Sequence, residues 1–289
     1  MKKILLAGSP CTYWSIIQNP DNRETTAEGL GWELFKNYLI AKEKFKPDFF
    51  LYENNESISK KIQAQIEKEL GVKLNHLNSA SVAAQMRKRI YATNVQVPEL
   101  EDRKISIADI IEEDVEPVVL TRPRFKEKQC RIYTEKSPTI TAAGGGEHIP
   151  RLLLKGHSLQ EINPNTYKDI SRTMTVKEVE RLQTMPEGYT SCLSKTRAMN
   201  ALGNGWTAEM IIHIMKCWGI PTDEELVVMS MYDGVATGRY CFEKLGYTKV
   251  KYFAYEIDDY PIKCALENYP EIIQCGDAYQ VRNADWRIN

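Results

Sequence analysis

The 289-residue sequence has little of what would place it among membrane, secreted or metal-built proteins. No apolar run approaches the length needed to cross a bilayer. Met1, Lys2 and Lys3 lead straight into a short strand-like run instead of a secretory signal, and both absences point to the cytoplasm. The seven cysteines are odd in number and show no close paired spacing, which argues against a disulfide framework and against a metal site. Nor is there a bulk excess of base: the formal net charge is -1, so composition does not advertise a nucleic-acid binder. What is there, 43% apolar and 27% charged residues, suits a globular chain with a large core, either one big domain with a smaller one or two of middling size.

Polar groups recur where apolar runs end. Residues 4–8 read as a strand that breaks at Gly8, Ser9 and Pro10 and presents Cys11 on a tight turn. In open α/β sheets that carboxyl edge is where reacting groups collect. A cysteine there is either a nucleophile, once its thiolate is favoured, or a small buried hydrophobe. Residues 18–28 read as a polar loop long enough to move over a substrate. A helix is predicted over 31–45, with Leu34, Phe35, Tyr38, Leu39 and Phe45 on its apolar side. Residues 49–52 form a buried strand ending in Glu53, Asn54 and Asn55. Desolvation beside such a run would suit Glu53 to proton donation, and the alternative, a helix N-cap, can be filled by Asn55 or Ser57. A helix over 58–70, closed by Gly71, and a strand over 72–77 follow. Arg87 and Arg89 lie two apart, hence on one side of an extended segment, where they suit phosphate or carboxylate recognition or a solvated surface.

Between residues 98 and 171 the strand-helix alternation is lost, and a smaller irregular domain with short strands is expected. Residues 99–116 are acidic, whereas Arg122, Arg124, Lys126, Lys128, Arg131 and Lys136 form either a solvated face or a phosphate-contacting one. The run of Gly144, Gly145 and Gly146 permits a flexible loop or a close backbone approach. Thr175 and Glu178 make a capping box for a helix over 175–184. Residues 203–206 read as a turn before an apolar helix over 207–218. The clearest α/β signal comes last: a buried strand at 226–231, a glycine-bearing turn from Tyr232 to Gly238, and a strand at 250–255 ending in Glu256. Glu256 lies about twenty residues past the turn, a spacing used to hold ribose hydroxyls. A third strand, 272–275, ends in Gly276 and Asp277, and three such edges in succession favour an adenosine-bearing cofactor.

Together these residues resemble the cytosine-5 DNA methyltransferases, and within them the de novo subgroup. Gly8-Ser9-Pro10-Cys11 is similar to the family's Pro-Cys motif, Glu53-Asn54 to its Glu-Asn motif, and residues 85–89 to its Gln-x-Arg-x-Arg motif. Tyr232, Asp233 and Gly234, with Thr237 and Gly238, resemble the cofactor motif, while Glu256, followed by Ile257, and Asp277 match the ribose- and adenine-binding acids. Arg172, Leu182, Gln183 and Pro186 look like the helix that braces the recognition domain, and Asn204 and Trp206 like the last cofactor-contacting motif. The resemblance implies a doubly wound, mostly parallel Rossmann-like α/β sheet, with catalytic residues at 1–95, target recognition at 96–171, and the bracing helix and cofactor half at 172–289. The family runs from cofactor motif to cysteine motif. Here the order is reversed, and joining Asn289 to Met1 would restore it, so a circular permutation is expected. Thr12 stands where glutamine is common and Tyr232 where phenylalanine is usual.

The chemistry so implied is methyl transfer from S-adenosylmethionine to cytosine carbon 5 in duplex DNA, with Cys11 adding to carbon 6 and Glu53 serving ring nitrogen 3. Asn54 would hold Glu53 or the Pro10 backbone, and Arg87 or Arg89 the flipped nucleotide, since the target base must leave the stack. No metal and no membrane are implied, and the oligomeric state stays open. The alternatives are a non-catalytic DNA- or partner-binding module and an RNA cytosine methyltransferase.

Overall fold

The first strand, β1 (Lys2–Gly8), buries Ile4, Leu5, Leu6 and Ala7 completely, as a central parallel strand covered on both faces must. The computed structural model describes residues 1–16, 18–123, 129–142 and 149–286. After β1 come α1 (Gly29–Phe45), β2 (Phe49–Asn55), α2 (Lys60–Leu70), β3 (Asn75–Asn78) and β4 (Lys88–Thr93). Then follow β5 (Val115–Thr121), β6 (Arg131–Tyr133), β7 (Arg151–Leu154), β8 (Ser171–Thr173), α3 (Val176–Leu182), α4 (Lys195–Asn204) and α5 (Ala208–Lys216). The chain closes with β9 (Leu226–Met231), α6 (Thr237–Lys244), β10 (Val250–Tyr255), α7 (Asp259–Asn268) and β11 (Ile273–Gly276).

Two compact units divide the chain: residues 1–77, 88–98 and 211–289, and residues 78–87 and 99–210. The first is built on a seven-stranded sheet of order β11-β10-β9-β1-β2-β4-β3. Neighbours from β11 through β2 are parallel, and β4 runs antiparallel to β2. The expected doubly wound, mostly parallel α/β class is therefore the one observed. From β9 the chain winds outward through β10 to β11, and from β1 it winds the other way to β2, so the topological switch lies between β9 and β1.

Local chemistry sets the element ends. The N-cap of α2 is Ser59, which accepts a hydrogen bond from the Ile62 amide (3.2 Å), and not Asn55 or Ser57 as expected; Gly71, at φ 71°, terminates the helix in the left-handed conformation, as read from sequence. The helix α1 lays Trp32, Phe35, Tyr38, Ala41 and Phe45 on the sheet, whereas Leu34 and Leu39, expected on that face, are only partly buried. The strand β2 continues through Glu53 and Asn54 to Asn55 because all three pair with β4.

The second unit holds a four-stranded sheet, β6-β5-β7-β8, whose described pairings are antiparallel, over a core that includes Val118, Leu120, Leu153, Tyr167 and Ile170. Thr175 and Glu178 form the anticipated capping box of α3. Residues 203–206 differ from the expected turn: Gly203 and Asn204 belong to the last turn of α4. The glycine serves close packing, since a Cβ on Gly203 would lie 2.5 Å from the Thr141 carbonyl carbon and the Ala142 nitrogen. Neither α4 nor α7 was anticipated, the latter because Pro261 interrupts the pattern, yet Pro261 sits in the first turn, where its missing N–H costs nothing. Arg124, Lys126 and Lys128 of the basic run, and Gly144, Gly145 and Gly146, lie outside the described residues.

Candidate active site

Five parallel strands end at one edge of the large sheet. Gly8 is paired with Glu53 across β1 and β2, Ala7 with Met231 across β1 and β9, and Tyr255 with both Met231 and Gly276. The polar residues at or beyond these positions, Cys11, Glu53, Asn54, Tyr232, Asp233, Glu256 and Asp277, thereby collect along one line, spanning the switch point.

On the β1–β2 side, Pro10 carries the chain out of the sheet and Cys11 is partly exposed. The Cys11 carbonyl accepts from the amides of Trp14 (3.0 Å) and Ser15 (2.9 Å), which closes the turn. Asn54, 2% exposed, holds that turn to β2. Its Nδ2 donates to the Ser9 carbonyl (3.1 Å), the Ser9 hydroxyl (3.2 Å) and the Tyr52 hydroxyl (3.0 Å), and Ser9 Oγ and Tyr52 Oη are hydrogen-bonded at 2.7 Å. Burial pushes the Tyr52 phenol well above its ordinary range, so it stays neutral and can donate. Glu53 points elsewhere: its Oε1 lies 3.0 Å from Arg89 Nε, and both side chains are largely withdrawn from water, at 12% and 13% exposure.

The two arginines have separate employment. Arg89 belongs to the first unit and pairs with Glu53, whereas Arg87, 3% exposed, belongs to the second. Arg87 donates to the carbonyls of Ile140 (2.8 Å), Gly203 (3.0 Å) and Gly205 (2.7 Å), so it grips the backbone on both sides of Asn204 and just before Trp206. Next to it Gln85, fully buried, accepts from the Ile140 amide (2.7 Å) and donates to Gln183 Oε1 (3.3 Å). Among the basic residues, Lys136 spends its ammonium on the carbonyls of Ala80 (2.6 Å), Ala83 (3.2 Å) and Ile105 (2.6 Å) instead of forming part of a solvated cationic face.

On the β9–β11 side, Tyr232 and Gly234 take positive φ, 58° and 61°, and the next helix starts after Ala236, also positive at 61°. The Glu256 carboxylate accepts from the amides of Gly234 (2.9 Å), Ile257 (2.8 Å) and Asp258 (3.0 Å), tying the end of β10 to the turn after β9. Asp233 is half-buried as a residue, with its carboxylate turned inward. Its Oδ1 accepts from the Tyr252 hydroxyl (2.7 Å), while Oδ2 is shielded from solvent and has no hydrogen-bond partner. Burial pushes this carboxyl up to about 7, offset in part by hydrogen bonds from Ser230 and Tyr252 and reinforced by the charge of Glu256. Thr237 and Gly238 are buried in the first turn of α6, Ile257 is 67% exposed, and Asp277 accepts from the Tyr279 amide (2.9 Å).

The loop at 18–28 is pinned at its centre, unlike a segment that swings as a whole. Arg23 donates to the carbonyls of Trp14 (3.0 Å) and Ser57 (2.5 Å), and Glu24 accepts from Trp14 Nε1 (3.0 Å) and from the Gly31 amide (3.1 Å). The sequence assigned no side-chain role to Ser9, which it placed only in the turn motif, or to Tyr52 and this Trp14–Glu24 pair. Tyr52 had a legible signal: it lies two residues before Asn54, on the same strand face.

Residues 1–140 match the C-5 cytosine-specific DNA methylase family. Every residue of the β1–β2 side described above falls within that stretch. Among solved structures, the chain is similar to S. pombe Dnmt2 methyltransferase, with 17% identity and a TM-score of 0.50 over 74% of this chain and 77% of that one. This likeness shows the Rossmann-like fold. Lower-scoring similarities are to a variant of Spodoptera frugiperda DNMT2 (20% identity, TM-score 0.48, 75% of this chain and 79% of that one) and to a putative DNA modification methyltransferase encoded within an E. coli prophage (14%, 0.43, 75% and 79%). No curated protein matches the chain significantly. Among the described residues, no helix is long and apolar enough to cross a membrane, and no group of three or more His, Cys, Asp or Glu is placed to hold a metal ion.

Proposed function

We propose that this protein is a cytosine-5 DNA methyltransferase that uses S-adenosylmethionine, with Cys11 as nucleophile. One observation carries the reading: the Pro10-Cys11 turn and Glu53 stand on adjacent parallel strands, and the amide of Asn54 ties that turn to β2. In the reaction, Cys11 Sγ adds to carbon 6 of a flipped cytosine while Glu53 supplies or shares a proton at ring nitrogen 3, which makes carbon 5 electron-rich. After carbon 5 is methylated, its proton departs to base and the C–S bond breaks, returning the thiolate. Arg89 orients Glu53 by the ion pair between them.

The β9–β11 edge fits an adenosyl donor. The buried, partnerless Oδ2 of Asp233 is an acceptor awaiting a donor, and a Cβ on Gly234 or Gly276 would meet open space within 4 Å, so neither turn is filled by its own chain. When bound, S-adenosylmethionine supplies an electrophilic methyl group. Glu256 would meet ribose hydroxyls with the lone pairs its three amide donors leave over, Asp277 and the exposed Ile257 the adenine, and Asp233 the donor's ammonium group. Tyr232, Thr237 and Gly238 shape that turn, and Asn204 and Trp206 resemble the family's last cofactor-contacting motif.

In this reading the chain is circularly permuted. Counted from β9, the strand order β11-β10-β9-β1-β2 becomes 3-2-1-4-5, the doubly wound order, and this supports the permutation. Residues 96–171 would contact the target, preceded in the chain by a catalytic part at 1–95 and followed by the bracing helix and cofactor half at 172–289; the short recognition region is what favours the de novo subgroup.

The test is trapping. A duplex carrying 5-fluorocytosine, whose fluorine cannot leave as a proton, should yield a covalent protein–DNA adduct in the presence of S-adenosylmethionine, and Cys11→Ser should yield none. Adducts formed equally by Cys11→Ser would remove the assignment, and transfer to structured RNA in preference to duplex DNA would reassign the substrate.

A further inference from the structure

Asn37 lies fully buried on α1, on a face otherwise made of Trp32, Phe35, Tyr38, Ala41 and Phe45. A buried amide costs free energy unless its polar atoms are met, and here both ends are employed. Nδ2 donates to Tyr232 Oη (3.3 Å), and Oδ1 accepts from Arg282 Nε (2.7 Å). The Tyr232 hydroxyl donates in turn to the Leu34 carbonyl (2.8 Å). Arg282 also reaches Glu33 (3.2 Å) and stacks 4.9 Å from the centre of the Tyr279 ring.

These partners come from opposite ends of the edge assigned above to the donor. Tyr232 opens the turn bearing Asp233 and Gly234, and Arg282 closes the 3-10 segment Ala278–Arg282, whose first turn Asp277 caps. A phenylalanine at Tyr232, the residue the resemblance leads one to expect, would remove this acceptor and leave the Asn37 Nδ2 without it. Tyrosine and asparagine are thus a matched pair in this chain.

We propose that Asn37 is a positioning residue of the donor site, setting the separation between the Tyr232–Gly234 turn and the Asp277 segment so that the site is formed before the donor arrives. This rests on the methyltransferase reading above. Preorganisation of this kind acts on affinity, because the ordering is already done in the free protein.

The experiment is calorimetric titration of the full chain with S-adenosylhomocysteine, together with steady-state kinetics. Asn37→Leu should weaken binding about tenfold, a shift of the size one buried hydrogen-bonded bridge supports, and raise the donor KM in proportion while leaving the KM for DNA unchanged. Residues that merely hold the fold together would lower the fraction of active protein, hence kcat, without moving the affinity of the folded fraction. Tyr232→Phe, which keeps the ring and removes one hydroxyl, should weaken binding about threefold and decides the matter if Asn37→Leu does not fold. Wild-type affinity in the variant that folds would overturn the inference while leaving the methyltransferase reading intact. Failure of the unmodified protein to bind S-adenosylhomocysteine would overturn that reading, and this inference with it.

Discussion

Asp233 carries the least comfortable charge at the sheet edge. Its carboxylate is enclosed, one oxygen has no partner, and burial pushes the group up to about 7. The sign of its effect on stability follows from the proton count. Between about pH 4, where an unfolded aspartate ionises, and about pH 7, where this one does, the folded chain holds a proton that the unfolded chain has lost. Raising the pH across that window therefore destabilises the protein, by a few kcal/mol at most on the scale of about 1.4 kcal/mol for each pKa unit. Asp233→Asn should flatten this part of the curve, and urea unfolding midpoints at pH 5 and pH 7.5 measure it. A variant whose midpoint falls as steeply as that of the natural protein would refute the placement of the charge. Asn54 is the opposite case: its amide meets three acceptors around Ser9 and Tyr52, so the cysteine turn is held by satisfied polar groups instead of strain.

Among the elements, the last turn of α4 is built against backbone with almost no clearance. Gly203 has no room for a Cβ against the backbone of Thr141 and Ala142, and Arg87 binds the carbonyls of Gly203 and Gly205 directly. Gly203→Ala should cost about 1–3 kcal/mol, the range for overpacking a filled site. Arg87→Met should leave buried carbonyls unmet and speed amide hydrogen exchange at residues 203–206 by an order of magnitude or more, since about 1–3 kcal/mol attends each orphaned buried group. Exchange at residues 195–200, one turn or more away, should change far less. Equal protection at 203–206 in both proteins would show that Arg87 does not hold this turn.

At the scale of the whole molecule, the order of strands in space and their order along the chain can be separated. The Lys2 amide is hydrogen-bonded to the Glu225 carbonyl (2.8 Å), so β1 and β9 start side by side, while Trp286 packs on the rings of Phe45, Phe253 and Tyr255. A rearranged chain in which residues 226–286 precede residues 2–218 through a flexible glycine-serine linker should fold to the same sheet, with the same circular dichroism spectrum and S-adenosylhomocysteine affinity within about threefold, since linker length enters stability only logarithmically. Loss of the sheet in that chain would mean that the connection between α5 and β9 is needed for folding, and the permuted reading would then lose its physical basis.

The sequence by itself determined the strands that end at the site, because buried parallel strands are continuous apolar runs and each here is punctuated by glycine or a polar group. Cys11, Glu53, Asn54, Asp233, Glu256 and Asp277 could all be picked out in this way, as could the caps at Gly71 and Thr175, whose chemistry is local. The employment of side chains was decided only by tertiary structure. Arg87 and Arg89 are two residues apart in sequence, yet one binds carbonyls and the other a carboxylate; Lys136 looks like surface charge and is consumed by backbone; Gly203 reads as a turn and proves to be a packing contact. Asn37 looks like an ordinary polar residue in a helix, until its two partners, 195 and 245 residues away, are brought to it. Hydrophobic periodicity reports which way a residue faces, whereas a hydrogen bond depends on what the rest of the chain puts there.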